Sequence, residues 1–563
     1  MKKIFYIASV VALSLTITSC NDFLDLTPQG TENSGNYFNT AENAEIAVNG
    51  IYDLLQYDEG DGPDGQWVTG HFDFFLGDMT SDDAEKGSTE TDNTPLLRII
   101  GGTSDSSLEQ AEAFWIHGFW GVSRANFVIE GLQSVTWDSS LRDRYMGEAL
   151  FLRAYFNWYL VRTFGPIPLF TRSIQPSDFG TVSRASVNQV YTQIANDLTE
   201  AAKLLPVRSK YKSLDLGRAT KGAAQALLAR VYMYQIGTDA DNSTIGWQQV
   251  YDAANEVIKS GEYKLMNNYA AIWETENDNC SESVFEIQFG NGSEEYAPGS
   301  IGTNFYQYQG NRVSGRGWGF NNPSQSLYDE FETGDPRLSC TVYGADFNSG
   351  IVYGAKEDYD AATQQGSPWL NRKAALKNTP SIARAADRNI RVIRYSDVLL
   401  MKAEAAARLN KNDEALALLE KVRNRARNST YCLGYAEGKL DYSAAPEDAS
   451  AILPEVKGVS GNDLIKAILH ERRVEFGMEG LRFYDLVRTG RFLDVMEADK
   501  YTNRQAGGKY DGVYPEAVNQ YFKGIRTNLE RHCFDGPNGH KVYVLPIPLK
   551  EQQAYGLPQI ANY

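Results

Sequence analysis

Apolar positions recur at three- and four-residue spacing through much of the chain, so most of it reads as amphipathic helix. The pattern predicts helices over 40–55, 114–132, 141–164, 186–205, 218–236 and 247–260. Further helices are predicted over 394–410, 412–428, 465–476 and 481–487. The third is nearly all apolar and aromatic from Phe151 to Phe164, which predicts burial on most sides. Gly165-Pro166 stops it, and Gly261 stops the helix that ends at Ser260. Val398, Met401, Ala405 and Leu409 share one helical face. Ala415, Leu418, Leu419, Val422 and Ala426 share another on the next helix, and almost nothing joins the two. That predicts an antiparallel helix hairpin of about 34 residues, the period of a tetratricopeptide repeat. The segments 186–205, 218–236 and 247–260 look like more of the same. Between 289 and 320 the periodicity breaks, and Gly, Tyr, Asn and Gln take over. A long loop region of this kind is usually functional. The last residues, 542–563, read as Pro-rich and extended.

Charge and the N-terminus narrow the setting. Lys and Arg total 54 against 72 Asp and Glu, a net charge of −18. That argues against a nucleic-acid partner, which needs clustered basic residues. Met1-Lys2-Lys3 followed by apolar residues to Ile17 is a positive start and a hydrophobic run, too short for a permanent membrane span. Ser19-Cys20 closes it like a bacterial lipoprotein cleavage box. Residues 1–19 are then a removed signal peptide, Cys20 is the lipidated first residue, and 20–39 is a tether leading into the fold. No later stretch has 18 consecutive apolar residues, so acyl chains (palmitate) would hold the body to its membrane. Cys280, Cys340, Cys432 and Cys533 are far apart. They form no CxxC pair and no readable zinc site, and four cysteines are not a disulfide scaffold.

Catalytic signatures are sparse. His470-Glu471-Arg472-Arg473-Val474 lacks the second His of a zinc-protease motif. Glu471, Arg473, Glu475, Glu479, Arg482, Asp485 and Arg488 read instead as ion pairs knitting helices. Gly315-Arg316-Gly317-Trp318-Gly319 has its third Gly misplaced for a dinucleotide fingerprint, and no GxSxG or P-loop occurs. A carboxylate pair for glycoside hydrolysis is a three-dimensional fact that sequence does not identify. No cofactor is expected. The acids of 58–65 have spacing suited to calcium but lack EF-hand order, and read first as a mobile acidic loop.

Several blocks together resemble one family. Asn21-Asp22-Phe23-Leu24-Asp25 after the cleavage box is similar to the start of the SusD/RagB nutrient-uptake lipoproteins. So are Arg153-Ala154-Tyr155-Phe156 through Gly165-Pro166-Ile167-Pro168, Gly217-Arg218-Ala219-Thr220, Asp335-Pro336-Arg337 and Arg394-Tyr395-Ser396-Asp397. Glu471-Arg472-Arg473-Val474-Glu475-Phe476 with Glu479-Gly480-Leu481-Arg482 is the most specific block, and Leu545-Pro546-Ile547-Pro548 closes the series. The ending departs from the family's usual Gly-Tyr.

The resemblance implies one mainly α domain over 40–563. Its N-terminal helical half covers about 40–280, a central loop region about 281–390, and a C-terminal half about 391–563. It implies tetratricopeptide-type helix pairs in an α/α superhelical scaffold, with long ligand loops and few short strands. It also implies a place on the outer face of an outer membrane, a SusC-like TonB-dependent β-barrel transporter as partner, a glycan as ligand, and no catalysis. The alternatives are a surface glycoside hydrolase, a tetratricopeptide protein-interaction scaffold, or a peptide-binding relative. Sugar rings need aromatic faces and polar edges. Two segments supply both, and they give the candidate ligand residues Trp67, His71 and Asp73, then Tyr296, Tyr306, Tyr308 and Trp318. Asp78 and Asp82 belong to the first segment, and Arg372 is a further candidate beyond the second.

Overall fold

The computed structural model describes residues 36–58, 74–290, 301–344, 351–353, 355–356, 358–360, 366–377, 385–432, 435–436, 439–440 and 445–560. Residues 1–19, expected to be a signal peptide, and Cys20 lie outside the described residues, as do Trp67, His71, Asp73, Tyr296 and positions 59–65 of the expected calcium-spaced acids.

Capping residues set the helix starts. Thr40 accepts the Asn43 N–H and opens α1 (Ala41–Leu55). α2 (Glu109–Gly131) starts five residues before the apolar pattern does, with Glu109 and Glu112 in a first turn that favours acids. Asp138 caps α3 (Ser139–Phe164), which is buried without a break from Gly147 to Phe164 and ends at Gly165 with φ +68°. α2 lies against α3 so closely that a Cβ on Gly121 would stand 2.2 Å from the Phe156 ring. Ser186 caps α4 (Val187–Leu204), Thr220 caps α5 (Lys221–Thr238), and Gly261 at φ +68° ends α6 (Trp247–Ser260). Successive helices pack on one another, α3 on α4, α4 on α5 and α5 on α6, and α6 then meets α7 (Tyr395–Arg408).

α7 and α8 (Asn412–Arg427) form the expected hairpin, but the faces divide differently from the sequence reading. Val398, Met401 and Ala405 turn into the large core of the body. Leu399, Leu400, Ala403, Ala406 and Ala407 meet Ala415, Leu418, Leu419 and Val422 of α8 in a second core. Leu464, Ile465 and Ile468 of α9 (Gly461–Phe476) complete that core. α7 is therefore buried on both sides and joins the two cores. α10 (Arg482–Arg488) and α11 (Phe492–Lys500) follow. The C-terminal segment is not extended throughout, because Leu549–Tyr555 is a helix after Pro548.

Strands are short and paired. β1 (Ala84–Gly87) runs antiparallel to β3 (Phe320–Pro323), with Glu85 opposite Asn322. β2 (Ser283–Ile287) pairs β6 (Ile390–Arg394), and β4 (Val342–Tyr343) pairs β5 (Leu370–Asn371).

The expected ion pairs between helices are present and buried. Arg337 reaches Asp335, Glu471 and Glu475, and Arg394 reaches Glu282, Glu475 and Glu479. Arg488 bridges Glu404 and Asp485. At the edge of this network His470 lies between Glu330, 2.7 Å from Nδ1, and Glu332, 3.3 Å from Nε2. Burial opposes its charged form, but the hydrogen bonds with Glu330 and Glu332 outweigh it and raise the imidazole to about 9. A group raised in the folded state stabilises the fold below its ordinary range and loses that contribution as pH climbs through the folded value. Unfolding midpoints should therefore fall between pH 7 and 10, and His470→Gln should flatten that fall. An unchanged slope in the variant would remove His470 as its source.

Candidate functional site

The two segments singled out from sequence meet in space. The early segment leaves α1 through Asp58, which is fully buried and accepts the Thr303 hydroxyl at 3.2 Å and the Asn304 N–H at 2.8 Å. It returns at the turn Phe74–Asp78. There a Cβ on Gly77 would stand 2.0 Å from the Gly480 carbonyl oxygen, so only glycine allows this approach. Asp78 accepts the Gly480 N–H at 2.8 Å and the Asn321 side-chain amide at 3.1 Å. Burial outweighs these bonds and pushes its carboxyl up to about 7. Asp82 takes both guanidinium arms of Arg482 at 2.7 and 2.9 Å, and Asp83 takes Arg473 at 2.8 Å. These acids fasten the early segment to the body and are not exposed to a ligand.

The central segment is tied in the same way. The Gly290 N–H reaches the Ile301 carbonyl at 2.7 Å, joining the chain on either side of residues 291–300. Beyond it, Phe305–Gln309 is one helical turn. Tyr306 is buried, with its hydroxyl donating to the Asn389 carbonyl at 2.6 Å and the Arg388 guanidinium 4.0 Å above its ring. Tyr308 is buried and stands edge-on to Trp318, with ring centroids 4.7 Å apart. Arg372 is buried over the Tyr353 ring at 4.3 Å and faces Glu274 at 4.0 Å. The expectation that Tyr306, Tyr308 and Arg372 present themselves to a ligand is corrected by these positions, because their polar and π partners are already inside the protein. The cavity that Tyr306 lines with Gln309, Asn371 and Lys373 holds about 70 Å³. That suits a few waters and falls short of the roughly 300–1,000 Å³ of small-molecule pockets.

Trp318 is the described candidate that reaches the surface. It is half-buried on Tyr308, and its backbone N–H donates to the Gln307 carbonyl at 2.8 Å. Beside this loop, Arg312 pairs with Asp92 at 2.7 Å and donates to the Ser88 hydroxyl at 3.0 Å, with both charged groups about two-fifths exposed. Lys86 lies 5.2 Å from the Phe320 ring centre and donates to the carbonyls of Thr89 and Asp92. The pairing of β1 with β3 thus places the turn after β1 against the loop before β3. The result is a ledge with an indole face, a guanidinium, a carboxylate and the half-exposed Gln307. An indole suits the C–H face of a sugar ring, and charged edges suit its hydroxyls. Sequence reading found Trp318 but not Arg312 or Asp92, since they meet across 220 residues. A wider recess of about 670 Å³ lies between α1 and the 214–218 turn, bordered by Tyr52, Gln56, Arg218 and Gln288.

Known proteins share this architecture. The profile described as the SusD family matches residues 281–562, half of the chain, and one described as starch-binding associating with outer membrane matches 73–233. SusD-like protein P38 of Formosa agariphila is 27% identical over 522 residues, covering 87% of this chain and 92% of its own length. The starch-binding protein SusD of Bacteroides thetaiotaomicron is 25% identical over 328 residues, 56% of this chain and 55% of its own. A laminarin-binding SusD-like protein superposes with a TM-score of 0.68 at 27% identity, covering 93% of this chain and all of its own. The mainly α body with few short strands is the SusD-like fold, and the chain belongs to the SusD family.

Proposed function

We propose that this protein is a lipid-anchored outer-membrane glycan-binding protein, which captures an oligosaccharide or polysaccharide at the cell surface and passes it to a SusC-like TonB-dependent transporter. The observation that carries the reading is the ledge of Trp318, Arg312 and Asp92, formed where the early and central segments meet on a SusD-family fold. Relatives whose names record starch and laminarin binding support a glycan as ligand. The lipoprotein-like cleavage box at Cys20 supports the anchor. Among the described residues no helix is long and apolar enough to cross a membrane, so the anchor in this reading is acyl. Binding without turnover fits the ledge. The acids nearest the early segment, Asp78, Asp82 and Asp83, are engaged with Asn321, Arg482 and Arg473.

The test is calorimetric titration of the chain from Asn21 onward with a panel of soluble glycans that includes starch and laminarin, alongside an assay for new reducing ends. Binding of one polymer without new reducing ends is expected. New reducing ends would make the protein a hydrolase. A folded protein that binds no member of the panel would overturn the glycan reading in favour of a peptide ligand.

A further inference from the structure

Cys340 and Cys432, which carry no pairing signal in their spacing, come together in the fold. Cys340 sits in the short helix Pro336–Thr341, and Cys432 lies five residues beyond the end of α8. Both belong to a small apolar cluster with Tyr269, Ala270, Ile272 and Trp273, outside the two larger cores. Ser339 joins the two segments. Its hydroxyl oxygen accepts the Cys432 N–H at 2.8 Å and lies 3.9 Å from the Cys340 sulfur. The two thiols are within hydrogen-bonding reach of each other, and the Arg372 guanidinium stands beside Cys432. They are 2% and 4% exposed. The other two described cysteines sit elsewhere. Cys533 is in the large core donating to the Leu529 carbonyl, and Cys280 is in the turn before β2.

We propose that Cys340 and Cys432 are joined by a disulfide in the exported protein, fastening the helix before β4 to the segment that follows the α7–α8 hairpin. The proposal rests on export, because an oxidising compartment is where such bonds persist. The oxidant is a disulfide-bearing thiol oxidase or a small-molecule disulfide such as oxidised glutathione. One thiolate attacks a sulfur of that disulfide, forming a mixed disulfide and releasing a thiolate. The second thiolate then attacks the mixed disulfide, closing the Cys340–Cys432 bond and releasing the other thiolate. The two cysteines lose two electrons and two protons, and the oxidant leaves as two thiols. With the pair this deep in the fold, exchange belongs to folding, before the cluster closes. The bond would close a loop of about 90 residues, a length at which cross-linking constrains the unfolded chain strongly.

The experiment uses the chain with Cys20→Ser, secreted to the periplasm and purified without reductant. Thiol titration in denaturant should find two reactive thiols, those of Cys280 and Cys533, and four after reduction. Peptide mapping should find the Cys340 and Cys432 peptides joined and two hydrogens lighter than the separate pair. Reductant should lower the melting temperature by several degrees. Cys340→Ser/Cys432→Ser should melt like the reduced protein and ignore reductant. Four reactive thiols after oxidised-glutathione treatment during refolding, or a link from either residue to Cys280 or Cys533, would overturn the proposal. The mapping is done on the native pair, so it decides the matter even if the double variant fails to fold.

Discussion

Replacing Glu475 with alanine should remove about 3–5 kcal/mol of folding stability, the range for breaking a buried ion pair from one side. Glu475 is fully buried on α9 and accepts hydrogen bonds from three arginines, Arg337 at 3.1 Å, Arg394 at 3.0 Å and Arg425. Burial disfavours its charge, but Arg425, Arg394 and Arg337 together hold its carboxyl down at about 2. Without it, three buried guanidiniums are left to share Asp335, Glu282, Glu471 and Glu479, and none can move to water without opening the seam between α8 and α9. A group lowered in the fold stabilises it above its ordinary range and stops doing so as pH falls toward the folded value. The wild type should therefore lose part of this contribution between about pH 5 and pH 2. Glu475→Gln keeps the shape but not the charge, and should recover only a small part of the loss. The exposed pair Lys466–Asp463 on the same helix is the control, worth roughly 0–1 kcal/mol. Urea unfolding followed by circular dichroism separates the two cases. A loss at Glu475 no larger than that of Asp463→Ala would show that the buried network holds geometry without contributing net stability.

This network also marks where sequence reading stops. The stripe of charges from Glu471 to Arg488 was legible as helix-knitting because the residues share one stretch of chain. Their partners were not, since Arg425, Arg394 and Arg337 lie 50, 81 and 138 residues from Glu475. Helices with a capping hydroxyl, such as those behind Thr40, Ser186 and Thr220, could be placed to within a few residues. α7 was found but misjudged, because an Ala-rich helix buried on two sides offers no polar face to orient it. Leu549–Tyr555 was hidden behind Leu545-Pro546-Ile547-Pro548, whose prolines read as a continuing extended segment. The site shows the same boundary. Tyr306, Tyr308 and Trp318 share a composition typical of ligand loops. Their depths are decided by β1 meeting β3 from more than 200 residues away and by Asn389 and Arg388 arriving beneath Tyr306. No local pattern carries that information.

Trp318→Ala should weaken glycan binding by about 30-fold or more, the loss of about 2 kcal/mol or more that marks an aromatic anchor. Trp318 combines two properties that suit an anchor. The residue is half-buried, and its ring is braced edge-on by the Tyr308 ring, which fixes its orientation before a ligand arrives. Arg312 beside it is held by Asp92 and Ser88, so hydroxyls meet charged groups already in place. Arg312→Ala should therefore weaken binding by a smaller factor, since a partly exposed charge keeps much of its contact with water. Truncating a half-buried indole also disturbs packing on Tyr308, so Trp318→Phe is the necessary companion. It keeps an aromatic face and should restore much of the affinity at an unchanged melting temperature. Equal losses in the alanine and phenylalanine variants, with matched loss of stability, would assign Trp318 to packing alone. Full affinity in both would keep glycan capture and move its anchor off the ledge, toward the early segment of Trp67.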